Sequence, residues 1–158
     1  MERKYAEFAA TKACELLAID SPSGYTQKAA TWVKEAFEAL GFAAKITTKG
    51  GVLADLGGAD KDDALFLQAH TDTLGAMVAE IKANGRLKLT PLGGLRAENA
   101  ETENVRVHTR TGKIIEGTVQ LCNASVHVNG EYGETKRTYE AVEAVLEEDV
   151  KTAEATRA

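Results

Sequence analysis

Proline and cysteine are both scarce in this chain, with two of each among 158 residues. So few prolines beside an apolar fraction of 44% exclude a disordered tail, because a chain this apolar has surface to bury. Cys14 and Cys122 lie far apart and no Cys-x-x-Cys pair occurs, so the expectation is two reduced, buried thiols in a cytoplasmic protein, not a disulfide. Long apolar runs are missing as well. None approaches the roughly 20 residues that cross a bilayer, and Glu2, Arg3, Lys4 and Glu7 leave no room for a secretory h-region. Basic residues are not in excess: 19 Lys and Arg against 24 Asp and Glu give a formal charge of −5. Scattered cations on an acidic chain do not make a nucleic-acid footprint. What remains is a folded, mildly acidic chain long enough for one sizeable core or two small linked ones.

Periodicity organises it. Tyr5, Phe8, Ala9, Ala13, Leu16 and Leu17 recur at helical spacing, and Ala29, Trp32, Val33, Ala36, Phe37 and Leu40 form a second stripe that Gly41 should cap. Between them Asp20-Ser21-Pro22-Ser23-Gly24 breaks the helix. The period then changes to two. Residues 42–48, 52–56 and 64–69 read as short strands, separated by Gly50-Gly51 and by a polar turn at 57–63, with Leu65-Phe66-Leu67 expected at the centre of a sheet. Asn84-Gly85 predicts a tight hairpin, with both central residues at positive φ, between arms at 77–83 and 86–90. Alternation continues through Val105 and Val107, a turn at Thr111-Gly112, and runs at 114–121 and 124–128, which suggests a small barrel or sandwich. Val142, Ala144 and Leu146 fit one face of a strand, although Tyr139, Val142 and Val145-Leu146 also fit a helical stripe. Strand is preferred, since Thr152 can then cap a short closing helix.

Among the three histidines, His108 and His127 fall in alternating patterns and read as ordinary surface or core residues. His70 differs. It leaves the carboxyl end of an apolar strand and is followed two positions on by Asp72, so imidazole and carboxylate can point the same way. His70 could then ligate a metal while Asp72 fixes its tautomer; imidazole with carboxylates suits zinc or cobalt.

The stretch from Gln68-Ala69-His70-Thr71-Asp72 to Met77-Val78, the hairpin around Asn84-Gly85, and Pro91-Leu92-Gly93-Gly94 resemble the amino-terminal half of metallo-aminopeptidase family 42. That family comprises self-compartmentalising enzymes such as the tetrahedral and glutamyl aminopeptidases, often labelled endoglucanases. Ser21-Pro22-Ser23-Gly24 is similar to the family's Ser-Gly turn, Lys49-Gly50-Gly51-Val52 to its Lys-x-Gly-Asn segment with Gly51 in the asparagine's place, and residues 105–113 to the first part of its inserted β domain.

The resemblance implies an α/β, phosphorylase/hydrolase-like catalytic domain, begun by residues 1–74. It also implies an inserted small β-barrel or PDZ-like dimerisation domain at 75–158, incomplete at its carboxy-terminal end. It implies two divalent ions, zinc or cobalt, peptide substrates, and dimers assembling into a dodecamer in the cytoplasm. Residue by residue, His70 matches the first metal ligand and Asp72 the catalytic aspartate that supports it. The family's bridging aspartate, Glu-Glu pair, further aspartate and final histidine all follow the insert. Glu147-Glu148-Asp149 does not replace them, because it falls on the insert's last strand, where an acidic run is a solvated edge. The expectation is therefore an aminopeptidase's amino-terminal fragment, inactive by itself, with some of the sheet partners of 42–48 and 65–67 beyond residue 158. The alternatives are a stand-alone oligomerisation or binding module, and a zinc hydrolase of the carboxypeptidase and desuccinylase group.

Overall fold

The computed structural model describes residues 2–60 and 62–157 and divides them into two compact units, Met1–Leu74 and Gly75–Ala158. The fold is of mixed helix and sheet.

In the first unit, helix α1 spans Arg3–Leu17 and α2 spans Gln27–Ala39. The helix α2 ends as its sequence dictates: Leu40 caps it and Gly41 takes φ +88°, the left-handed conformation that only glycine adopts without strain. Ala29 and Ala30 are buried, and α2 packs on an antiparallel hairpin of β1 (Ala43–Ile46) and β2 (Val52–Asp55), paired from Ala43↔Asp55 to Ile46↔Val52. The stripe expected to bury α1 does not do so. None of its residues is buried, and Lys12 reaches over the Trp32 ring of α2 at 5.5 Å. The expected central strand at 64–69 is also corrected. The segment runs without a partner strand among the described residues, and Leu65, Phe66 and Leu67 are 85%, 71% and 74% exposed. Apolarity nominates a strand, but only a neighbour's hydrogen bonds make one. The predicted polar turn at 57–63 includes Lys61, which lies outside the described residues.

The second unit is a five-stranded antiparallel sheet. Its strands are β3 (Gly75–Ile81), β4 (Leu87–Leu92), β5 (Asn104–His108), β6 (Ile114–Leu121) and β7 (Val142–Leu146), in the order β3-β4-β7-β6-β5. The sheet is open, with β3 and β5 as edges, rather than a closed barrel. Edge strand β3 carries a register break between Val78 and Glu80, and β4 meets β7 only at Leu87↔Ala144, which leaves Pro91 clear of that seam. Leu87, Leu89, Val119, Leu121, Val142 and Ala144 make one apolar face. A one-turn helix α3 (Ala97–Ala100), which the sequence pattern did not reveal, covers this face with Ala97 and Ala100. Each fully buried Leu or Val contributes about 1.5–3 kcal/mol.

Three hairpins share one loop. Thr47, Lys82 and Thr109 each accept from the amide three residues on, at 2.9, 2.9 and 3.1 Å, and Gly50, Gly85 and Gly112 sit at φ +84°, +81° and +86°. This is a turn closed by a left-handed glycine, a three-residue loop. At 83–85 it replaces the expected two-residue turn, because Asn84 keeps a negative φ.

Other expectations are also corrected. Residues 124–128 form turns, not a strand, and Cys14 and Cys122 are exposed residues, not buried ones. Strand β7 ends at Leu146, so Glu147-Glu148-Asp149 lies just past it and not on it. The closing helix α4 (Ala153–Arg157) has the cap read from sequence, with the Ala155 amide donating to Thr152 Oγ1 at 3.1 Å.

Candidate metal-ligand site

The site is built from two segments of the first unit. Pro22-Ser23-Gly24-Tyr25 is a turn closed by the Tyr25 amide donating to the Pro22 carbonyl at 2.8 Å. Its third residue must take positive φ, and Gly24 does, at +89°. The turn lies against residues 71–73. Ser21, 1% exposed, donates through Oγ to the Thr71 carbonyl at 2.9 Å, while the Thr73 amide donates to the Ser21 carbonyl at 2.9 Å. Pro22 and Thr73 form a parallel bridge.

The chain is thereby held on both sides of Asp72. Ser23 Oγ donates to Asp72 Oδ2 at 2.8 Å, and His70 Nδ1 lies 3.2 Å from both Asp72 Oδ1 and the Asp72 carbonyl. Neither of those oxygens carries a proton when the carboxyl is ionised, so Nδ1 is the donor. In the neutral ring the lone pair is then on Nε2. The Asp72 carboxyl is held below its usual range. The Ser23 hydrogen bond lowers it most; desolvation opposes, and the His70 hydrogen bond and charge lower it further.

The structure brings His70 and Asp72 together as their spacing suggested. Asp72 is half-buried, and the His70 side chain is 85% exposed, open to a ligand. Ser23 was visible in the sequence only as part of a turn. Its partner is 49 residues away, and no local pattern reports such a contact.

His108 sits half-buried at the end of β5, paired with Ile114 in the ladder, and His127 is exposed in a turn. Glu148 pairs with Lys113 at 2.5 Å and Asp149 with Lys151 at 3.1 Å. Among the described residues no three His, Cys, Asp or Glu side chains converge on a point that could hold an ion. An imidazole backed by a carboxylate has the donor chemistry of a metal-bound histidine. It fits a metal as one ligand of the about four that zinc takes.

A second charged cluster, in the other unit, has no such opening. Glu143 is 1% exposed on the sheet face opposite the apolar core, and it accepts from Lys82 Nζ at 2.5 Å and from the Arg86 guanidinium. Burial pushes its carboxyl up, but the hydrogen bonds and charges of Lys82 and Arg86 outweigh burial and hold it below the usual value. Lys82 is raised in turn, chiefly by that hydrogen bond. The nearby Cys122 thiol is raised, chiefly by partial desolvation of the sulfur beside this cluster, although the residue as a whole is exposed.

The M42 glutamyl aminopeptidase family profile matches residues 50–158, and the chain belongs to that family. It is 39% identical over 136 residues to the putative aminopeptidase YhfE of Bacillus subtilis, covering 86% of this chain and 39% of YhfE. Its fold is similar to a TET aminopeptidase from the marine-sediment archaeon Thaumarchaeota archaeon SCGC AB-539-E09. The TM-score is 0.74 at 20% identity, over 94% of this chain and 41% of that one. The PhTET1-12s dodecamer is similar at a TM-score of 0.73 and 19% identity, over 92% and 41%. The chain thus spans about two fifths of the length of these relatives. No helix among the described residues is long and apolar enough to cross a membrane.

Proposed function

We propose that the whole protein is a metal-dependent aminopeptidase that removes amino-terminal residues from peptides, with His70 as a metal ligand and Asp72 as the catalytic aspartate behind it. The observation that carries this reading is the 3.2 Å approach of His70 Nδ1 to Asp72 Oδ1, inside the segment that matches the family. The two divalent ions of such a site, zinc or cobalt, supply Lewis-acid polarisation of a peptide carbonyl and a water of lowered pKa.

This chain's own residues have more limited tasks. His70 presents a neutral Nε2, and Asp72 holds the proton on Nδ1 and balances charge as the ring's electrons are drawn outward. One histidine does not satisfy zinc, so the 158-residue chain by itself is inactive and the other ligands come from elsewhere in the protein. Residues 1–74 then open the α/β catalytic domain, and 75–158 form a PDZ-like β insert that serves oligomer assembly. The exposed Leu65-Phe66-Leu67 run supports this, since it has the composition of an interior strand and no partner among the described residues. The likeness to the PhTET1-12s dodecamer supports a dodecameric assembly, and a cytoplasmic location belongs to the same reading.

The test is hydrolysis of aminoacyl-4-nitroanilides by the protein extended to the length of its relatives, with and without chelator. Activity that chelator removes and zinc or cobalt restores supports the reading, whereas chelator-insensitive hydrolysis or none at all overturns it.

A further inference from the structure

We propose that Ser23 is a positioning residue for His70, acting through Asp72: its hydroxyl sets the carboxylate so that the imidazole keeps its proton on Nδ1 and turns Nε2 outward. The consequence for metal binding rests on the reading of His70 as a ligand; the positioning rests on geometry alone.

An aspartate carboxylate turns about a broad, two-fold terminal torsion, and Asp72 is not packed tightly enough to stop it, its side chain being 44% exposed. Ser23 does stop it. With Oδ2 held at 2.8 Å by Ser23 Oγ, the other oxygen is left facing His70 Nδ1 at 3.2 Å. The hydroxyl is itself fixed, because the turn that carries it is closed by the Tyr25 amide and tied to Thr71 and Thr73 through Ser21. Movement of the carboxylate away from His70 would break the Ser23 bond. An exposed imidazole has no intrinsic reason to keep its proton on Nδ1, so the tautomer reports directly on this support.

The experiment uses the 158-residue chain labelled with ¹⁵N-histidine, at a pH where imidazole is neutral, with His70 assigned from the His70→Ala spectrum. Wild type should show the Nδ1–H form as the majority tautomer of His70. Ser23→Ala should make it the minority form with the backbone fingerprint otherwise retained, and Ser23→Thr, which keeps the hydroxyl, should restore it. An unchanged tautomer in Ser23→Ala overturns the proposal, as does a change that Ser23→Thr fails to reverse. If Ser23→Ala does not fold, Ser23→Thr against Ser23→Val makes the same comparison at nearly constant shape. Co²⁺ added as a probe separates the two readings. Paramagnetic broadening near residue 70 that vanishes in His70→Ala supports the ligand role. Broadening that persists there overturns the ligand role, while the tautomer change still upholds the positioning.

Discussion

Removal of the Glu143 carboxylate should destabilise the β unit far more than removal of any surface acid. Glu143 is 1% exposed and accepts from two cations, whose side chains remain 32% and 37% exposed. Hydrogen bonds to charged groups are worth about 1.5–3 kcal/mol each, and breaking a fully buried pair costs about 3–5 kcal/mol. Here Lys82 and Arg86 can turn to water once the acid is gone, so Glu143→Ala should fall below that range, at about 2–3 kcal/mol. The exposed Glu148, paired with Lys113, should cost under about 1 kcal/mol when replaced by alanine. Urea unfolding followed by the amide signals of Val119, Leu121 and Ala144 measures both. The same contact sets a pH dependence. The folded-state carboxyl titrates below its usual value near 4.5, so its contribution is complete above that value and disappears as pH falls through the lower, folded one. Glu143→Gln should flatten the acid limb of stability. A Glu143→Ala cost equal to that of Glu148→Ala, or an acid limb unchanged in Glu143→Gln, would mean that Lys82 and Arg86 do not stabilise the buried carboxylate.

Two further predictions concern the same sheet. Leu121→Ala, at a position 1% exposed in the core, should lose about 2–5 kcal/mol in the same urea measurement. A Cβ added at Gly117 would lie 2.6 Å from the Val145 carbonyl oxygen across the β6–β7 ladder; Gly117→Ala should therefore cost about 1–3 kcal/mol and speed hydrogen exchange at Thr118 and Val145.

Features that depend on near neighbours were legible in the sequence. Gly41 ended α2, Gly50 and Gly112 marked hairpins, and Thr152 capped α4, each through contacts within a few residues. Features that depend on distant partners were not. Leu65-Phe66-Leu67 has the composition of a central strand but acquires none without a ladder, and the alternation at 124–128 likewise has no strand beside it. Glu143 alternates with Val142 and Ala144, a pattern that assigns it to solvent, until Lys82 and Arg86 fold over it. The same divide runs through the candidate site. His70 and Asp72 are two residues apart and could be paired on paper, whereas Ser23 joins them only through the fold.

The proposed activity depends on His70 as a metal ligand. Its most direct test is the metal content and peptidase activity of the protein extended to the length of its relatives, as wild type and as His70→Ala, after removal of loosely bound ions. Wild type should hold two divalent ions per subunit, and the variant should lose one ion and the activity. Retention of both ions and full activity by His70→Ala would contradict the ligand role.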